Sequence, residues 1–74
     1  MDWTEFDLAM SDDRYLSGAA VFTEEPRMPV QTVLDNLEDG MAPEAIAEAW
    51  QIDLHLVNAT KEFAESRRLA RSFR

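Results

Sequence analysis

The chain is predicted to be mainly α, with three helices in helix-turn-helix-like order behind a short N-terminal β element. Three observations predict it. Val30, Val33, Leu34 and Leu37 recur at the i, i+3, i+4, i+7 spacing that gathers apolar side chains on one helix face. Pro29 and Pro43 open two periodic runs and Gly40 closes the first, the order in which helices use proline and glycine. A third stripe, Leu56, Val57, Thr60, Phe63 and Ala64, follows Asp53, an aspartate placed to cap a helix.

Taken in order, Phe6, Leu8 and Met10 alternate with Asp7 and Ala9, which reads as a half-buried strand. Trp3, Phe6 and Met10 also fit helical spacing. Ser11, Asp12 and Asp13 form a turn or capping cluster, and Tyr15 and Leu16 read as one helical turn before Gly18. Ala20 to Thr23 is a second strand, ended by Pro26, which lacks a backbone donor. Two short strands form no stable sheet alone, so they must pack on the helices or on another subunit. Pro29 is expected at the first helical position of a helix running to about Asp39, with Gly40 as its left-handed terminator. Pro43 opens the second helix, whose apolar face is Ile46, Ala47 and Trp50. Asp53 starts the third, which runs past Arg68 with Leu69 and Phe73 as late apolar contacts. The division is one domain over residues 1–74: a strand and turn arm over 1–26 and a three-helix core over 27–74.

Ala47, Gln51 and Val57 reproduce the spacing of a helix-turn-helix: a small residue, the turn four residues on, and a branched anchor six beyond that. The core is thus homeodomain-like. Gln51 stands where glycine is usual and is expected to widen the turn. A DNA reader would present base-contacting side chains from the third helix, with cations on the flanking phosphates. The candidates facing DNA are His55, Asn58 and Lys61. Asp53, Glu62 and Glu65 would meet phosphate unfavourably.

Charge sharpens the conflict. The formal net charge is −8. Residues 1–50 hold twelve carboxylates against two arginines, whereas residues 51–74 hold three against five cations. Such a body repels polyanions and favours a basic polypeptide surface. The one basic cluster is Arg67, Arg68, Arg71 and Arg74. With no cysteine and one histidine, disulfides and a thiolate zinc site are excluded, and no cofactor or metal is expected. At 74 residues the core is small, so a homo-oligomer, most simply a dimer, is expected. No apolar run reaches the ~20 residues of a membrane helix, and the expected location is cytoplasmic, away from membranes.

The run Gly18-Ala19-Ala20-Val21-Phe22, then Arg27-Met28-Pro29-Val30 through Gly40, and Pro43-Glu44-Ala45-Ile46-Ala47 resembles the domain-of-unknown-function-433 family of predicted antitoxins. The resemblance covers about Met10 to Glu65. Two departures are visible: Ala20 replaces a proline, and Glu24-Glu25-Pro26 is one residue longer than the family's Gly-Thr, which implies a reshaped turn. Members are mostly encoded beside a PIN-like nuclease. The resemblance therefore implies the antitoxin half of a type II toxin–antitoxin pair, a non-enzymatic module that neutralises its cognate toxin by direct contact. Arg67, Arg68, Arg71 and Arg74 are the residues expected to bind that partner, because an arginine can take a metal's place among carboxylates. The alternatives are a DNA-binding helix-turn-helix (auto)regulator and a structural adaptor. The acidic pairs Asp12-Asp13, Glu24-Glu25 and Glu38-Asp39 read as solvated surface rather than catalytic groups.

Overall fold

The computed structural model describes residues 3–11 and 18–72, with side chains described as far as Arg67. The expected turn at Tyr15 and Leu16, the Asp12-Asp13 pair, the contacts of Leu69 and Phe73, and Arg74 lie outside the described residues.

The strand expected over Phe6 to Met10 begins only at Ala9, and Trp3 to Leu8 form turns. The Phe6 amide donates to the Trp3 carbonyl at 3.0 Å and the Ala9 amide to Phe6 at 3.1 Å, which makes two linked turns. Turns place residues three apart on one side, so Trp3 and Phe6 are both buried. Strand β1, Ala9–Ser11, begins only after them. It pairs antiparallel with β2, Ala20–Phe22, setting Ala9 opposite Phe22 and Met10 opposite Val21. The chain then returns along the free side of β2. Val21 bridges Pro29, and the Phe22 amide donates to the Met28 carbonyl at 3.2 Å. Covered on both sides, Val21 and Phe22 are fully buried.

That bridge explains a one-residue shift in helix α1, Val30–Glu38. Pro29 is the N-cap rather than the first helical residue, because pairing with Val21 holds it extended at φ −69° and ψ 133°. Val30, Val33 and Leu34 point into the core. At the far end Gly40 takes φ +94°, its amide donates to Leu37, and the Met41 amide reaches back to Asn36, both at 3.1 Å. These bonds satisfy carbonyls the helix would otherwise leave open. A Cβ at Gly40 would meet nothing within 4 Å, so only the backbone conformation demands glycine. Gly40→Ala is expected to cost about 1 kcal/mol, read as a lower thermal midpoint without change of fold.

Helix α2, Pro43–Trp50, begins with its proline where expected. Its end corrects the expectation of a widened turn. Gln51 itself adopts the left-handed conformation, φ 54° and ψ 47°, while the Ile52 amide donates to Ala47 at 3.0 Å. The tight geometry survives with a residue that pays for it in backbone strain. Gln51→Gly should therefore raise stability by about 1 kcal/mol, seen in the urea midpoint.

Helix α3, Leu54–Ser72, crosses α1 and α2. Leu56, Val57, Thr60 and Ala64 are buried as the stripe requires. The Thr60 hydroxyl donates to the Leu56 carbonyl at 2.8 Å, which satisfies a polar group with no access to water. Ile46 of α2 meets this stripe. Trp50 does not, and remains 47% exposed. Trp50 sits a turn beyond Ile46 and Ala47, next to the left-handed Gln51 that ends α2. The N-terminal turns join the same core: Trp3 stacks on Phe63 of α3 at 5.6 Å, and Phe6 lies 4.9 Å from that ring.

Candidate functional site: the outer face of the third helix and the groove beside it

The start of α3 is built on Asp53. Its carboxylate accepts the His55 amide at 3.2 Å, the N-cap bond expected from sequence. The same oxygen lies 3.0 Å from His55 Nδ1. On the other side of the ring, His55 Nε2 lies 3.1 Å from Glu24 Oε2, in the loop after β2. His55 is therefore an exposed imidazole held between two carboxylates from separate parts of the chain.

This arrangement fixes the direction of both titrations. Hydrogen bonding to Asp53 and then Glu24 raises the His55 pKa above its ordinary value of 6.5. The bonds from His55 lower the Asp53 pKa below 3.8. A raised folded value for His55 means its contribution to stability is complete below pH 6.5 and fades as pH rises through that folded value. For Asp53 the contribution is present above 3.8 and is lost as pH falls through its lowered folded value. The clamp is thus strongest at mildly acidic pH. NMR titration should show the His55 midpoint above that of a free histidine, and Glu24→Gln should bring it down while leaving the fold intact.

Asn58 and Lys61 are exposed on α3, with Glu62 and Glu65 also at the surface. The structure thus places the three candidate DNA-facing residues on the outside of one helix. It also sets carboxylates at both ends of that face. Lys61 lines a shallow cavity of about 200 Å³ with Glu38, Glu65, Leu34, Leu37 and Met41. The two glutamates in that lining oppose its one cation.

Arg67, the first of the four candidate partner-binding arginines, lies over the Phe63 ring at 4.9 Å and pairs with Glu5 of the N-terminal turns. It ties α3 to the start of the chain. Arg68 and Arg71 follow on the backbone of α3, and their side chains lie outside the described residues. Of the acidic pairs, Glu24 bonds His55 and Glu25 bonds Arg27 at 3.2 Å. Among the described residues no group of three His, Cys, Asp or Glu is gathered as a metal site. No described helix is long and apolar enough to cross a membrane.

A second feature was hidden from sequence reasoning. Trp50, Gln51 and Ile52 at the α2–α3 turn face Glu25, Arg27, Met28, Pro29 and Thr32 across a groove of about 420 Å³. The pattern of α2 assigns Trp50 to the core, so nothing in the spacing marks it as a surface residue. The pairing of Glu24 with His55, 31 positions apart, likewise leaves no local signal.

Compared with known proteins, residues 10–64 match the family described as "Protein of unknown function (DUF433)". No curated protein matches the chain, and no solved structure does.

Proposed function

The chain belongs to the DUF433 family, and from that premise we propose that it is the antitoxin of a type II toxin–antitoxin pair, a non-enzymatic module that neutralises a PIN-like nuclease by direct protein contact. One observation carries the choice of a protein over a nucleic acid. At the end of α3 that would enter a major groove, His55 is bonded to Glu24 and Asp53, carboxylates that would face phosphate. A cationic protein surface meets the same groups favourably.

The antitoxin role itself is supported by the residues that carry the family resemblance and by the concentration of arginine at one end of an acidic chain. A PIN-type nuclease site is a cluster of carboxylates around a divalent cation. A guanidinium inserted there satisfies the carboxylates with paired hydrogen bonds and displaces the metal. Arg67, Arg68, Arg71 and Arg74 are the residues to which this blocking role falls, Arg67 also pairing with Glu5.

The test is co-expression with the product of the adjacent gene. The reading expects that product to arrest growth alone, and this protein to restore growth and co-elute with it. Reversing Arg67, Arg68, Arg71 and Arg74 to glutamate should abolish protection, measured as colony count. A neighbour that is harmless alone, or full protection by the reversed variant, contradicts the proposal.

The second reading, a DNA-binding (auto)regulator, is favoured by the retained tight turn at Gln51 and the exposed His55, Asn58 and Lys61. It requires a partner to supply the missing positive charge.

A further inference from the structure

We propose that His55 is a proton-operated latch across the groove beside the α2–α3 turn. Charged, it ties the loop after β2 to the start of α3 through Glu24; neutral, it keeps only Asp53 and lets that loop go. The ring is held at both ends. Nδ1 lies 3.0 Å from Asp53 Oδ1, and Nε2 lies 3.1 Å from Glu24 Oε2. Ionised carboxylates only accept, so at these distances each ring nitrogen must carry a proton. A neutral imidazole has one N–H and turns a lone pair toward the second carboxylate, which repels it. Both contacts therefore hold together only in the imidazolium. Loss of one proton breaks one of them.

The place of each partner in the chain decides which. Asp53 is two residues from His55, and its Oδ1 also accepts the His55 backbone amide at 3.2 Å, which keeps that carboxylate beside the ring. Glu24 reaches the ring from a loop 31 positions away, with half of its side chain exposed. Ordering it costs side-chain entropy that a neutral ring does not offset. The neutral form is thus the Nδ1–H tautomer, bonded to Asp53, with Glu24 released. Among the described residues, Glu24 and Asp53 are the charged groups that act on the ring, and the neighbouring Glu25 is paired with Arg27. Both carboxylates raise the His55 pKa above 6.5, so the latch is shut at mildly acidic pH and opens as pH rises through that raised value.

The latch spans the groove. Glu24 adjoins one wall, which runs from Glu25 to Thr32, and Asp53 adjoins the other, Trp50 to Ile52. Among the described residues no other hydrogen bond or ion pair joins these two segments. Once Glu24 is released, the loop keeps its own turns, in which the Glu25 amide donates to Phe22 at 3.1 Å and the Met28 amide to Glu25 at 3.0 Å. An exposed ion pair adds little to global stability. Protonation therefore sets the order of the loop and the width of the groove while the core persists.

The latch does not depend on the antitoxin reading. Its test is NMR on the isotope-labelled full chain, taken from about pH 5 upward through the His55 midpoint. Imidazole nitrogen shifts identify the tautomer, and the backbone heteronuclear NOE reports loop order on the ps–ns timescale. Above the midpoint His55 is expected as the Nδ1–H tautomer. The NOE at Glu24, Glu25 and Arg27 should fall through the same midpoint, and the Trp50 indole N–H should shift with it. In Glu24→Ala the loop should show the lowered NOE at every pH and the Trp50 indole should cease to titrate, with helical circular dichroism unchanged. Three results would overturn the latch: an Nε2–H tautomer above the midpoint, a loop NOE that stays flat across the titration, or a Glu24→Ala loop that keeps the parent's pH dependence.

Discussion

Phe22→Ala is expected to leave the domain largely unfolded at 25 °C. Phe22 has no exposed surface, sits at the end of β2 and lies edge-on to Phe6 at 6.5 Å. Truncating a buried phenylalanine costs about 3–5 kcal/mol, because the lost transfer energy is joined by a cavity that neighbours cannot fill. A domain of this size holds on the order of 3–5 kcal/mol in total. The loss therefore consumes the whole stability. Helical circular dichroism in a urea titration should show no folded baseline for the variant. Phe22→Leu, which keeps most of the volume, should lose under about 2 kcal/mol and retain that baseline. An alanine variant with the parent's midpoint would show that β2 is not part of the core.

The two tryptophans should respond in opposite ways to the same substitution. Trp3 is buried, stacks on Phe63, lies 5.7 Å from Phe6 and donates its indole N–H to Gln31 Oε1 at 3.2 Å. Trp3→Ala removes the centre of that aromatic group and should cost about 3–5 kcal/mol. A loss of that size matches the domain's whole stability, so this variant too should show no cooperative thermal transition. Trp50→Ala removes a side chain whose open half faces water and should change stability by less than ~1 kcal/mol. Thermal denaturation of the two variants side by side measures this. Equal losses would mean that Trp50 belongs to the core and its groove to the folding of the domain.

That contrast also shows where sequence reading stops. The helices were legible because their signals are local: the spacing of Val30, Val33 and Leu34, the left-handed glycine at Gly40, Pro43 at the first turn, and the Asp53 cap. Each is set by residues within a turn of one another. The errors arise where a distant partner decides. Pro29 is drawn out of α1 by Val21, and Trp3 and Phe6 curl into turns because Phe63 offers a surface for both rings. Trp50 fits the apolar period of α2 but is 47% exposed and lines the groove beside the α2–α3 turn.

The candidate site was legible in part for the same reason. Helical geometry alone puts Asn58 and Lys61 on the outside of α3, and the acidic balance of the chain can be counted. The clamp on His55 cannot be counted, because Glu24 reaches it from a loop 31 residues away. It sets two carboxylates beside one imidazole at the start of α3, where a DNA reader needs net positive charge. A three-helix fold with a tight α2–α3 turn thus carries an acidic balance, the reverse of what a DNA reader uses.

The most direct test of that reversal is the anisotropy of a labelled duplex from the gene's own upstream region, titrated with the purified chain at ~0.15 M salt. The account predicts no saturable binding below about 100 μM, weaker than ordinary non-specific association. Half-saturation in the nanomolar range, with preference over a scrambled duplex, would contradict it.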